Sequence, residues 1–481
     1  MNILLVLNDS TLHERLGVMQ LSSALKSQKN HVKLIIASKY RSEDLNAVVV
    51  QFNADVIGYS AMTGEHIGLQ GVNKQLKKVH KFIAVLGGPH ATFFPDAIED
   101  GGWDAVCIGE GDIALPEFCR LIEHGEPFWL THSMIVKYAG KIYKNPLMPL
   151  VENLDTLPFP DREIMYDADP ILLESSHKYF FSTRGCPYKC TYCFNSKQNE
   201  LFEGKGSVLR HRSPESMINE ILGVKQNYPL QIVLFEDDTF LLKPKKWFEK
   251  FISLYKDKIK LSLFCNVRAN VVTDEKIALL RDAGLMGVCI GIEFGNEKVA
   301  NELLLRNIVN NQLINACTIL KKHSIKIITQ NLVGIPVQGS YSIDLETLDL
   351  NLKIKPTFAW SSILTPYPGT PIEKMLRENA IIKDKVALLE TNKRGSVFSF
   401  SSPLEKRRIE NLHKLFGLIV EFPFLRRFTD TLTSLPLGRL YTALFYLFYG
   451  YNYKVRFFPI RSLRKEMLSY IKFWWSIMKK S

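Results

Sequence analysis

Four scarcities narrow the reading of this sequence. No stretch approaches the roughly 18–20 uninterrupted apolar residues of a membrane-spanning helix. No low-complexity tract and no repeat of solenoid period appears, which excludes stacked-repeat architectures. The amino terminus, Met-Asn-Ile-Leu-Leu-Val-Leu, lacks a basic segment and a small-residue cleavage site. It therefore reads as a buried strand rather than a secretory leader, and a cytoplasmic location is expected. Cysteine is sparse too: eight residues in 481 do not make a disulfide scaffold.

What remains is ordinary globular material, 46% hydrophobic and 23% charged, long enough for two or three domains. The net charge of +12 is uneven, because residues 403–481 hold 15 Lys/Arg against 5 Asp/Glu and so carry most of it. The basicity belongs to the tail and says little about the body.

The first 125 residues alternate short apolar runs (3–7, 32–37, 56–60, 82–87, 105–108) with amphipathic stretches, the pattern of a doubly wound α/β sheet. Small residues gather where such sheets bind ligands, at the strand ends: Gly58-Tyr59-Ser60, Gly87-Gly88-Pro89-His90 and Gly109-Glu110-Gly111. Residues 126–178 are proline-containing with weak periodicity and read as a connector. A second series follows, with strands expected near 179–183, 231–236, 262–267, 287–293, 326–332 and 356–364. Helices are expected at 214–226, 245–255, 274–282, 311–323 and 344–352. Six β/α units suggest a partial (β/α)6 barrel over 179–372, with its chemistry at the carboxyl ends of the strands. Residues 373–481 read as a mainly helical, basic and aromatic region.

Three of the cysteines form one cluster, Cys186-Pro187-Tyr188-Lys189-Cys190-Thr191-Tyr192-Cys193, directly after an expected strand. Thiolates suit zinc or an iron–sulfur cluster. A structural zinc usually takes four ligands, often as two separated pairs, and no second pair exists here; a three-cysteine zinc site completed by a distant histidine is the remaining alternative. The other five cysteines are scattered and read as small core residues.

The C-x3-C-x2-C loop resembles the radical S-adenosylmethionine (SAM) superfamily. That resemblance implies a [4Fe–4S] cluster on Cys186, Cys190 and Cys193, whose open iron binds SAM. It also implies reductive cleavage to a 5′-deoxyadenosyl radical, with electrons from an external flavodoxin- or ferredoxin-type donor. By the same resemblance Tyr192 flanks the adenine, and Asp237 and Asp238 stand where many members have the Gly-Gly-Glu that receives the SAM amino group. Glu293 contacts the ribose, and Arg268 faces the carboxylate or makes a structural ion pair.

The amino-terminal segments, together with Leu157-Pro158-Phe159-Pro160-Asp161-Arg162, Gly334-Ile335-Pro336 and Thr365-Pro366-Tyr367-Pro368-Gly369-Thr370-Pro371, resemble the cobalamin-binding branch of that superfamily. This branch includes magnesium-protoporphyrin ester cyclase and many class B C-methyltransferases, and the likeness runs from residue 1 to about 371. It implies a Rossmann-like cobalamin-binding domain over 1–125, with Ser60, Thr63, Gly87, Gly88, His90, Gly109, Glu110 and Gly111 at the corrinoid. Asp9, His13 and Gly17 lack the spacing of a cobalt-ligating histidine motif, so no histidine on cobalt is expected. Packing of a plain Rossmann-like sheet is the alternative account of the glycines.

C-methylation of an unactivated carbon is the leading expectation for function. A non-methylating cobalamin radical SAM oxidoreductase or cyclase is the second, and a corrinoid sensor or carrier with a vestigial cluster belongs to another class. The substrate is expected to be a small or lipid-like molecule. The tail is read either as a cap on the barrel or as a peripheral contact with the inner membrane face, and no RNA-binding module appears.

Overall fold

Ile3, Leu4, Leu5, Val6 and Leu7 are each at most 3% exposed, as a parallel strand covered by helices on both faces must be. In the computed structural model, which describes residues 1–10, 13–382 and 395–458, they form β1 (Asn2–Leu7) at the heart of a seven-stranded sheet. The sheet also contains β2 (His31–Ile36), β3 (Val56–Ser60), β4 (Ile83–Gly87), β5 (Ala105–Cys107), β6 (Met134–Tyr138) and β7 (Lys141–Lys144), in the order β2-β1-β3-β4-β5-β6-β7. The first five are parallel, and the reversal of strand order beside β1 creates the crevice at which doubly wound sheets bind ligands.

The last two strands were not anticipated. Residues read as connector instead form a hairpin that continues the sheet antiparallel from β5. Its outer strand Lys-Ile-Tyr-Lys is too short and too polar to show an alternating pattern.

The proline-containing stretch that follows is anchored rather than loose. Gln20 donates to the Pro158 carbonyl (2.7 Å), Ser22 to the Asp161 carboxylate (2.6 Å), and Lys26 pairs with Asp161 at 2.7 Å. Arg162 meets Glu14 at 2.8 Å with both side chains buried, and the Tyr166 hydroxyl donates to the same carboxylate. These elements, Met1–Ser175 with Gln198–Arg210, make one unit of the chain.

The second unit, Ser176–Lys197 with His211–Ser481, holds a six-stranded all-parallel sheet. Its strands are β8 (His177–Phe180), β9 (Ile232–Phe235), β10 (Ser262–Val267), β11 (Leu285–Glu293), β12 (Lys326–Val333) and β13 (Phe358–Ile363), paired in sequence order. Five intervening helices lie within a few residues of their expected places, for example Pro214–Asn227, Asp274–Asp282 and Asn310–Lys322. Serine or threonine opens two of them: Ser213 accepts from Ser216 N, and Thr273 from Lys276 N.

The helix Pro403–Glu421 lies on β13 through Ile409, Leu412, Phe416 and Ile419, an i, i+3, i+7, i+10 stripe. Beyond it, Gly438–Tyr451 turns its aromatic side chains toward the barrel. Tyr449 and Phe445 pack on Trp360 (4.7 and 5.4 Å between ring centroids), and Phe448 packs on Phe358 (5.9 Å). The aromatic tail thus acts as a cap as far as residue 458; Trp474 and Trp475 lie outside the described residues. Among the described residues no helix is long and apolar enough to cross a membrane.

Candidate radical SAM and corrinoid sites

Cys186, Cys190 and Cys193 occupy the loop that leaves β8, at the carboxyl end of the barrel. All three are cysteines outside any disulfide. Cys190 is buried, and burial pushes the Cys186 thiol up to about 11 and the Cys193 thiol up to about 12. Metal ligation must therefore release protons from this loop. Among the described residues no three Cys, His, Asp or Glu side chains converge on a single metal ion. A four-iron cluster makes no such demand, because each thiolate takes a different iron. Three soft donors in one loop, with no fourth ligand gathered beside them among the described residues, fit that cluster better than zinc.

The loop is pinned by backbone contacts. Thr191 N donates to the Leu304 carbonyl (3.1 Å), its hydroxyl to the Leu303 carbonyl (2.7 Å), and Ile372 N to the Thr191 carbonyl (3.1 Å). A cationic arch stands behind it. Arg268 approaches the Cys190 sulfur at 3.8 Å, lies 3.7 Å over the Tyr188 ring, and donates to Asn270 (3.0 Å) and to the Arg306 carbonyl. A guanidinium so placed would stabilise the negative charge of a thiolate-bound cluster. Its donors face the loop, so it is more a buttress of the cysteine segment than a carboxylate clamp.

Arg306 was missed by sequence reasoning. It donates to the Tyr192 hydroxyl (2.6 Å) and the Gly291 carbonyl (2.7 Å) and pairs with Glu293 at 3.3 Å. Its signal was faint: one arginine after Leu303-Leu304-Leu305, in a segment with no motif. Glu293 closes β11 at a bulge with φ +65°, a conformation that non-glycine residues rarely adopt. Strain of about 1–3 kcal/mol at a strand end is the kind that functional sites retain.

The acidic segment after β9 divides by facing. Glu236 and Asp238 are exposed. Asp237, read from the sequence as a SAM contact, points the other way. It is fully buried, receives Ser182 N (2.7 Å), Thr183 N (3.0 Å) and the Ser182 hydroxyl, and pairs with buried Lys243 at 2.7 Å. With its oxygens so occupied it is a structural anchor, and the SAM assignment for it is withdrawn.

In the first unit, Ser60 ends β3, Thr63 follows it, and Gly87 ends β4. Gly88 has φ +89°, and a Cβ there would stand 2.9 Å from the Ala61 carbonyl. At Gly109, φ +77°, a Cβ would stand 2.3 Å from the Phe202 ring. Both glycines are demanded by the fold itself, which is a stronger reason than approach to a ligand. Glu110, expected at the corrinoid, is instead bound bidentately by Arg210 (2.7 and 3.0 Å) and accepts from Val151 N. Gly111 begins the helix Gly111–Glu123, and His13 is exposed.

His90 is buried, bonded to Thr63 (3.3 Å) and stacked on His66 (3.6 Å between centroids) and Phe94 (5.0 Å). Burial, then the neighbouring His66, pushes it down to about 4 from the usual 6.5. Between those values the unfolded chain takes up a proton that the folded chain refuses. Stability at this position is therefore full above pH 6.5 and falls on acidification toward pH 4, by on the order of 3 kcal/mol. Thermal melts across that window should show the loss in the wild type and a flatter acid limb in His90→Gln.

Comparison with known proteins agrees with this layout. The B12 binding domain model matches residues 3–119 and the Radical SAM superfamily model residues 180–340. The chain joins a B12-binding domain to a radical SAM domain. An uncharacterised methyltransferase of Pyrococcus horikoshii is 26% identical to this B12-binding radical SAM chain over 364 residues, 74% of this chain and 76% of that one. The bacteriochlorophyllide d C-8(2)-methyltransferase of Chlorobaculum tepidum is 23% identical over 397 residues, 77% of each. Among solved structures, the radical SAM methyltransferase TsrM of Kitasatospora setae superposes with a TM-score of 0.64 at 16% identity, covering 79% of this chain and 77% of that one. The cobalamin-dependent radical SAM enzyme OxsB gives 0.67 at 14% identity, covering 100% and 75%. At these identities the two structures speak for the fold.

Proposed function

We propose that this enzyme is a cobalamin-dependent C-methyltransferase. The observation that carries the reading is the pairing, in one chain, of a B12-binding sheet with a three-thiol loop at the carboxyl end of a parallel barrel. Relatives named as methyltransferases support it, among them the cytidylyl-2-hydroxyethylphosphonate methyltransferase of Streptomyces wedmorensis, 23% identical over 54% of each chain.

When bound, the reduced cluster with SAM supplies a 5′-deoxyadenosyl radical, and the corrinoid supplies the methyl group. The chain's own part is positioning and charge. Cys186, Cys190 and Cys193 would hold the cluster, and Arg268 steadies the loop beside Cys190. Tyr192, fixed by Arg306, offers its ring to the adenine, and Glu293 its carboxylate to the ribose. Asp238, exposed where Asp237 is buried, is the better acceptor for the SAM amino group. Ser60, Thr63 and Gly87 remain the corrinoid contacts of choice, and electrons come from an external flavodoxin- or ferredoxin-type protein.

The deciding assay is mass analysis of a cell extract's small molecules after incubation with the anaerobic, cobalamin-loaded enzyme, SAM and reductant. A product heavier by one methylene is expected, with equal amounts of 5′-deoxyadenosine and S-adenosylhomocysteine. Loss of hydrogen or gain of oxygen without S-adenosylhomocysteine would instead make it an oxidoreductase or cyclase.

A further inference from the structure

Side chains of a barrel strand alternate between the helical layer and the interior. Phe235, Cys265 and Ile290 lie in the apolar layer under the helices, so Glu236, Asn266 and Gly291 face inward. The strand register sets Glu236 next to Asn266, with Gly291 one inward position beyond the Cys289 that pairs with Asn266. Phe235 pairs with Cys265 and Asn266 with Cys289, while Gln330 stands between Gly291 and Trp360. Interior positions of a parallel barrel are ordinarily packed solid. Here Glu236 and Gln330 are solvent-exposed, and Asn266, Gly291 and Trp360 are only half-buried. Inward-facing yet water-accessible side chains at the carboxyl end line a cavity.

The cavity is closed below by the tail. Tyr449 packs tilted on Trp360 at 4.7 Å, the Tyr453 hydroxyl meets that of Tyr179 at 3.1 Å, and Phe458 lies 5.4 Å from Phe264. The wall is acidic. The Asn266 amide donates to the Asp237 carbonyl beside it (3.2 Å), and among the described residues no Lys or Arg pairs with Glu236. The nearby guanidinium groups are engaged elsewhere, Arg268 with Asn270 and Arg306 with Glu293.

We infer that Glu236 anchors a protonated amine of a compact substrate, with the amide of Asn266 beside it, the amide of Gln330 in the neighbouring inward layer and the rings of Trp360 and Tyr449 against its apolar part. This specificity rests on the methyl-transfer reading above for its chemistry but not for its test. The probes are 2-phenylethylamine and 2-phenylethanol, close in shape and different in charge. Each is equilibrated by dialysis against the anaerobic holoenzyme with SAM.

The amine should bind at least about tenfold tighter than the alcohol. That preference should shrink below about threefold in Glu236→Gln that retains its iron and corrinoid. Equal binding of the two probes by the wild type overturns the inference, as does a preference that survives the substitution. Should Glu236→Gln lose its cluster, Gln330→Glu replaces it as the test: a second carboxylate in the ring should strengthen the amine preference, and no change overturns the proposal. Absence of 5′-deoxyadenosine from the wild type would sink the catalytic reading alone, since the dialysis comparison does not depend on turnover.

Discussion

Cys190→Ala is expected to abolish SAM cleavage, with 5′-deoxyadenosine formation falling by at least about a thousandfold and iron content falling with it. Each thiolate of a three-cysteine site takes one iron, and no other cysteine lies in the loop to take its place. Its sulfur is approached at 3.8 Å by cationic Arg268, which cannot ligate a metal. Alanine keeps the backbone bond from Cys193 N to the residue 190 carbonyl (3.1 Å) and the contacts of Thr191, so the loop should stay folded. Iron and acid-labile sulfide are measured on reconstituted protein, with the product quantified by chromatography. A variant that keeps four irons and cleaves SAM at the wild-type rate would end the cluster assignment. Cobalamin uptake by the first unit should be unchanged in this variant, which separates loss of the cluster from loss of the fold.

Much of this was legible because parallel sheets bury their strands on both faces and so announce them as apolar runs. All six barrel strands and the first five strands of the amino-terminal sheet could be placed that way. The hairpin of β6 and β7 could not, since an exposed antiparallel edge carries Lys-Ile-Tyr-Lys rather than an apolar run. Site residues followed the same division. The cysteines are tied to one another by spacing, and spacing survives in sequence. Glu110 and Arg210, or Tyr192 and Arg306, are joined only by the fold, across 100 and 114 positions. Nothing local distinguishes a carboxylate that waits for a ligand from one already held by an arginine. Glycine misled in a similar way: Gly88 and Gly109 stand where a ligand loop would have them, yet a neighbouring carbonyl and a phenylalanine ring already require them.

The difference between a held and a waiting carboxylate is sharpest at Asp237. Asp237→Ala should destabilise the protein by about 3–5 kcal/mol, a large share of the roughly 5–15 kcal/mol that holds a typical domain together. The substitution leaves the Lys243 ammonium fully buried without its counter-charge. That ammonium then retains the Phe240 carbonyl (3.0 Å) and the faces of the Phe240 and Trp247 rings (3.9 and 4.9 Å). It also orphans the amides of Ser182 and Thr183, the residues that lead from β8 into the cysteine loop. Denaturant midpoints measured on the apo protein give the stability change, and SAM binding by the reconstituted protein gives the functional one. The two are separated by the double variant Asp237→Leu with Lys243→Met, which removes both charges from an apolar layer. If Asp237 is an anchor, the double variant recovers at least half of the lost stability and, with the loop restored, most of the SAM affinity. If Asp237 were a direct SAM ligand, stability would return while affinity stayed as low as in the single variant.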